Sequence, residues 1–246
     1  MKRRSCLFLI VFPVCIIGVK NTLAQTAPVD SIVQQKPFNN AVKLFYSSLG
    51  KQSPLYNGRE YLPADPTIKG NAFFLDVNTY TPGNISYDGL FFTSAPMIYD
   101  IHTDQVVVLS YNTFSKLVLR QELVKDFDFL NHHFINIKAD SISNNAVISA
   151  GYYDEIYNGK TKVLVKRYKN VQTTSSAETY FELKRDIFIK KNNTYFNTSS
   201  QGSLLDALKD KKKELQQYIS TNKIKFRKDP EDAMIKIVSY YDHLIN

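Results

Sequence analysis

The side chains of this sequence best suited to acid–base or metal chemistry are its four histidines. His132 and His133 are neighbours, and neighbours on a strand point to opposite faces, so they do not ligate one metal together. His102 and Asp104 share a face in an extended chain, but they stand at an expected turn. His243 falls on the polar side of a C-terminal helix. A closed metal site takes about four ligands, so the pattern predicts no metal and no cofactor. His102, Asp104, His132 and His133 are the candidates for a hydrolase whose catalytic residues are scattered along the chain.

Carboxylate pairs lead no further. Asp154 and Glu155 are adjacent and diverge, while Asp126 and Asp128 share a face only if that stretch is extended. Paired carboxylates cleave glycosides when held about 5 to 9 Å apart across a cleft, and nothing in this spacing implies a cleft. A serine nucleophile needs a base and an orienting acid, and no Gly-x-Ser-x-Gly elbow occurs. Tyrosines are a different resource. Tyr87, Tyr99, Tyr152, Tyr153 and Tyr157 lie in or beside expected strands, where an apolar ring with a polar tip suits a ligand- or partner-binding wall; the same residues are also ordinary strand formers.

The N-terminus carries Lys2, Arg3 and Arg4, an apolar run from Cys6 to Val19, and the small-residue site ending at Ala24, the three parts of a cleavable export signal. The run is broken by Pro13 and is too short to span a bilayer. The expected organisation is a signal peptide at 1–24, a flexible lead-in at 25–37, and one β-rich domain at 38–246. Both cysteines, Cys6 and Cys15, fall in the signal, so the exported chain reaches a disulfide-permissive compartment without a disulfide. The expected location is the periplasm or cell surface of a Gram-negative bacterium.

Past residue 24 there are 27 basic and 23 acidic side chains. They are unevenly spread: residues 25–156 are net acidic, residues 157–228 hold 17 basic against 6 acidic side chains, and the last stretch is acidic again. Lys209, Lys211, Lys212 and Lys213 form a basic surface. Such a block suits peripheral contact with an anionic membrane surface or polysaccharide, or a solvated face balanced by acidic parts of the same chain. Export argues against nucleic acid.

Periodicity supplies the elements that must position these groups. Phe38, Ala41, Val42, Phe45 and Leu49 mark a short amphipathic helix stopped by Gly50, and a loop rich in proline and glycine follows. Phe73, Leu75, Val77 and Thr79 alternate as in a strand, with a turn expected at Thr81-Pro82-Gly83-Asn84. Then come ISYDGLFF, MIYDI, QVVVLSY and FSKLVLR, with breaks at Ser94-Ala95-Pro96, His102-Thr103-Asp104 and Asn112-Thr113. NAVISAGYYDEIY and KTKVLVKRYKNV are joined across Asn158-Gly159, a strong hairpin signal. Thr179 to Lys191 alternates until Arg185, which marks a bulge, a turn or an inward charge, and Thr194 to Asn197 returns.

Ser203 with Asp206 resembles a capping box, and Leu204, Leu208, Leu215 and Ile219 line a helix with room for a kink near Asp210. Asp229, Pro230, Glu231 and Asp232 start a last helix whose core face is Ala233, Met234, Ile237, Val238, Tyr241, Leu244 and Ile245. The fold class expected is α+β: a mostly antiparallel β meander, as a curved sheet or partly open barrel, with a short N-terminal helix and a C-terminal helical hairpin over about 203–245.

The segments YDGLFF, MIYDIHTDQVVVL, GYYDEIYNGKTKVLVKR and DKKKELQQYISTNKIKFRKDPEDAMIKIVSYYDHL together resemble a group of exported bacterial cell-envelope proteins with no assigned activity. The resemblance covers most of residues 70–246 and implies an exported β-plus-helix module without supplying a catalytic residue. Three functions follow as expectations: a non-catalytic envelope module binding a partner protein, lipid or hydrophobic ligand; an envelope hydrolase; or a structural surface protein contacting anionic lipid or polysaccharide.

Overall fold

The computed structural model describes residues 53–112, 114–139 and 147–245. The expected signal peptide, the lead-in and the helix from Phe38 lie outside the described residues. So do positions 145–146, the first residues of the strand segment NAVISAGYYDEIY.

Eleven strands form one antiparallel sheet: β1 (Arg59–Glu60), β2 (Thr81–Tyr87), β3 (Leu90–Asp100), β4 (Gln105–Leu109), β5 (Lys116–Val118), β6 (Val124–Phe129), β7 (His132–Ile137), β8 (Gly151–Asn158), β9 (Lys162–Thr173), β10 (Thr179–Lys191) and β11 (Thr194–Asn197). The spatial order is β1-β5-β4-β3-β2-β6-β7-β8-β9-β10-β11, with β1 and β11 at the edges. It is a meander with one reversal, and it does not close into a barrel. Three helices follow, α1 (Gln201–Ala207), α2 (Lys212–Thr221) and α3 (Pro230–Leu244). No helix among the described residues is long and apolar enough to cross a membrane.

Several local expectations are corrected. Phe73 to Thr79 is not a strand: Phe74–Asp76 is a 3-10 turn with Leu75 and Asp76 at φ 50° and 57°. Thr81-Pro82-Gly83-Asn84 opens β2 instead of forming a turn. Proline is tolerated there because Pro82 faces Pro96 beside a register shift, and Gly83 because a Cβ would lie 2.6 Å from the Asp128 carbonyl oxygen. ISYDGLFF is two strands: Asp88 and Gly89, both with positive φ, make the hairpin turn, an Asp-Gly signal of the same kind as Asn158-Gly159. β3 continues through Ser94-Ala95-Pro96, absorbing the irregularity at Ser94, φ 55°.

The strand carrying Arg185 is unbroken; Arg185 pairs across β9 with Arg167, and both side chains reach Glu231 on α3. The first helix is capped by Ser200, three residues earlier than expected, with Ser203 as the reciprocal partner of its capping box. The kink expected near Asp210 is present as a 3-10 turn, Lys209–Lys211, between α1 and α2. Asp229 caps α3 by accepting from the Asp232 amide at 3.1 Å. Ala233, Met234, Ile237, Val238 and Tyr241 are buried as expected, whereas Leu244 is half-buried and Ile245 exposed at the frayed end.

Two cores result. One is a mainly aromatic interior of β2, β3, β6, β7 and β8 in which Tyr99, Phe127, Phe134 and Tyr152 meet ring to ring, with centroids 4.7–5.8 Å apart. Such pairs add about 0.5–1.5 kcal/mol each beyond burial. The other packs α1–α3 on Val163, Val165, Ile187 and Ile189 of β9 and β10. Asp242 of α3 pins this layer to the β8–β9 turn by accepting from the Thr161 amide at 3.0 Å and the Tyr157 hydroxyl at 3.2 Å.

Candidate functional site

β3 and β9 are five steps apart in the sheet, yet the loop after β3 lies against β9, so the sheet must roll. The Lys169 amide donates to the Ile101 carbonyl at 3.2 Å, and His102 Nδ1 donates to the Lys169 carbonyl at 2.8 Å. A carbonyl only accepts, which fixes the proton on Nδ1. The His102 ring also meets Phe181 of β10 at 5.3 Å. Buried Asp100 holds the loop from within, accepting from the His102 amide at 2.8 Å, the Thr103 amide at 3.0 Å and the Tyr61 hydroxyl at 2.8 Å. Burial, with Asp100 alongside, pushes the Tyr61 pKa up.

Asp104 ends this loop at φ 56° and is the hub of the seam. It accepts from the Tyr99 hydroxyl and the Lys166 ammonium, both at 2.6 Å, and from the Tyr152 amide at 3.2 Å. Burial raises the Tyr99 pKa well above its ordinary value, and the Asp104 charge adds to it. Gly151, at φ 140°, makes room: a Cβ there would stand 2.4 Å from Asp104 Oδ2 and 2.6 Å from Lys166 Nζ.

A strap, residues 69–76, crosses the same seam. Lys69 bridges to Tyr180 on β10 and Phe73 to Asp100 on β3. Beneath it the nearly buried Lys169 ammonium donates to the carbonyls of Asn71 and Phe73, each at 2.9 Å, and to Asp76 Oδ1 at 2.5 Å. Phe74 plugs the aromatic interior from the strap, packing against Tyr99, Phe129, His132 and Phe134.

The third knot lies beside Phe74. His132 Nδ1 donates to Asp154 Oδ2 at 2.7 Å, Arg167 donates to the same carboxylate, and Arg167 continues to Glu231. Asp154 is fully buried. A histidine oriented by a carboxylate is one half of a nucleophile-activating pair. Among the described residues no hydroxyl or thiol hydrogen-bonds the other nitrogen of His132, and the carboxylate is shared with a guanidinium. The arrangement fastens β7, β8, β9 and α3 together.

The structure therefore brings His102 and Asp104 into one seam and places His132 in the adjoining knot. His133 points to the opposite face, as strand alternation requires, and shares a solvated hydrogen bond of 2.7 Å with Asp128. Among the described residues no group of three or more His, Cys, Asp or Glu side chains is arranged to hold a metal. Tyr87, Tyr99 and Tyr152 fill the aromatic core. Tyr153 packs on the other face against Phe188, its hydroxyl donating to the Ser149 carbonyl at 2.8 Å. Tyr157 contacts Asp242. Lys211 and Lys212 pair with Glu214 and Asp206, whereas Lys209 and Lys213 are exposed without an ion pair to the described residues.

Sequence reasoning missed Lys169, Arg167, Asp100 and Gly151. The signal for the first two was present: β9 places Val163, Val165, Arg167 and Lys169 on one face, so two cations continue the buried phase of the strand. No protein-family model, curated protein or solved structure matches this chain.

Proposed function

We propose that the chain is a non-catalytic binding module of the bacterial cell envelope that docks a partner protein on the apolar rim of the β9–β10 hairpin. One observation carries this reading: two apolar side chains on one face of that hairpin, Val171 and Leu183, are left in water beside half-buried Phe181. Val171, 38% exposed, sits opposite Phe181, and Leu183, 59% exposed, sits opposite Lys169. Leu75, 57% exposed, stands on the strap next to the Asp76 that binds Lys169, the residue paired with Leu183. Grouped apolar surface of this kind marks interaction sites.

The seam supports the non-catalytic part of the reading, because Asp100, His102, Asp104, Lys166 and Lys169 are each already held by partners within the chain. The leader at 1–24 supports export to the periplasm or cell surface of a Gram-negative bacterium, and the resemblance to envelope proteins supports the same compartment. A protein partner is favoured over a lipid or other hydrophobic ligand because Tyr99 and Tyr152 pack on each other and on Phe127 and Phe134 and so fill the interior, which leaves the available apolar surface outside the roll.

The test is a photo-crosslinking amino acid placed at Leu183 and at Val171 in the native envelope, with Lys125 on β6, 83% exposed, as the control position. A discrete protein adduct from the hairpin positions and none from the control is expected. No adduct at either hairpin position, together with an extra, solvent-extractable mass on the purified chain in native mass spectrometry, would replace the protein partner by a lipid ligand.

A further inference from the structure

We propose a second site, independent of the hairpin rim: the cleft between residues 199–202 and 224–230, with the exposed side of α2, binds the phosphate-bearing headgroups of an anionic lipid surface. The stretch 209–228 contains eight basic and two acidic side chains. Most described cations elsewhere are paired with carboxylates, as Lys162 is with Glu155, Lys166 with Asp104 and Lys191 with Asp210, and those that are not, such as Arg59 and Lys116, stand far apart in the sequence. In this stretch only Lys211 and Lys212 are so paired. Lys209, Lys213, Lys223, Lys225, Arg227 and Lys228 are all exposed, and none forms an ion pair with a described residue.

Local structure turns this charge outward. Buried Phe226 anchors the loop in the helical core, and the loop curls so that the Lys228 amide donates to the Lys225 carbonyl at 3.0 Å. With Phe226 inserted, its neighbours Lys225, Arg227 and Lys228 line a cleft of about 760 Å³ whose opposite wall carries Ser199 and Ser200. Guanidinium and ammonium donors around one concavity are the chemistry that holds phosphate oxygens. Lys213 in the first turn of α2 and Lys223 just past its end are separated by roughly 15 Å at 1.5 Å per residue. One small anion cannot contact both Lys213 and Lys223, whereas a surface carrying many phosphates can, and that selects a membrane over free phosphate.

The test uses the chain purified as its host exports it, with vesicles of phosphatidylcholine alone or with about 30 mol% phosphatidylglycerol. The chain is expected to co-sediment with the anionic vesicles only, and to be released as salt rises from about 0.05 to about 0.5 M. Replacing Lys225→Gln, Arg227→Gln and Lys228→Gln together should weaken binding about a hundredfold, given the attraction of each cation near an anionic bilayer. Its thermal transition should not move, since all three side chains are exposed. Lys209→Gln with Lys213→Gln, outside the cleft, should weaken binding about thirtyfold by the same reasoning. Equal binding to neutral and anionic vesicles overturns the proposal, as does wild-type binding by either variant. Saturation by inorganic phosphate without preference for anionic vesicles would assign the cleft to a free anion and overturn it too.

Discussion

Lys169→Met tests whether the strap is fastened by the buried ammonium. Methionine keeps an unbranched stem and removes the charge. The carbonyls of Asn71 and Phe73 lose a donor each held at 2.9 Å. An acceptor left unsatisfied in the interior costs about 1–3 kcal/mol, and both residues are half-buried, so water recovers part of that. Asp76 returns to water at little cost because its side chain is 75% exposed. The variant is also spared the desolvation of a buried cation. The net is a loss of about 2 kcal/mol concentrated in the strap, or roughly a thirtyfold fall in local protection. Native-state hydrogen exchange reads it at two amides, Ile101, which donates to the Ala72 carbonyl, and Phe181, which donates to the Lys69 carbonyl. Amides between β6 and β7 should not change. Asp76→Asn, which leaves the carbonyl cradle intact, should cost less than about 1 kcal/mol. Unchanged protection at Ile101 and Phe181 in Lys169→Met would refute the fastening role; an equal effect of Asp76→Asn would show that charge attraction, and not the carbonyl cradle, holds the strap.

Gly151→Ala should destabilise the fold by about 3 kcal/mol or more, since the new Cβ meets the Asp104–Lys166 pair at a φ that L side chains avoid; urea unfolding measures it, and a loss below 1 kcal/mol would mean the seam yields at little cost. High pH should unfold the chain cooperatively. Burial pushes up the pKa values of Tyr61, Tyr80, Tyr99 and Tyr152, that of Tyr80 to about 12. A pKa raised above the unfolded value of 10.0 contributes stability that is complete below pH 10 and is lost as pH climbs toward the folded value. Tyrosinate absorbance should therefore rise together with loss of the circular dichroism signal, and full ionisation with an intact fold would contradict these burials.

What was legible in the sequence is what repeats locally. Period-two runs marked β2–β5 and β8–β11, with β2 and the start of β3 read as one segment, but left β1, β6 and β7 unmarked, and the last helix was readable because Asp229, Pro230, Glu231 and Asp232 are each chemically suited to one end of a helix. The failures fall where local signals conflict with long-range pairing. Phe73 to Thr79 alternates like a strand, but Phe74 is drawn into the aromatic core and Lys169, nearly a hundred positions later, captures the carbonyls around it, so the segment turns. Pro82 and Gly83 look like a turn in isolation and become strand because β3 and β6 pair on either side. His102 and Asp104 were noticed for their chemistry, but the partner that defines each, the Lys169 carbonyl and the Lys166 ammonium, lies more than 60 residues away and leaves no local trace.

The distribution of charge explains why this fold needs no cross-link. Residues 53–245 contain no cysteine, so a rolled sheet with two free edges must be held by other means. Apolar packing alone would let the β3–β4 loop slide on β9, because hydrophobic burial is non-directional. Asp100, Asp104 and Asp154 each accept several donors in fixed directions, and such buried groups become costly as soon as any partner is lost. The seam therefore fixes register where a disulfide would fix distance. It also leaves the two surfaces proposed for binding outside itself: the hairpin rim carries the apolar residues that the roll does not bury, and the 209–228 stretch carries the cations that the seam does not use.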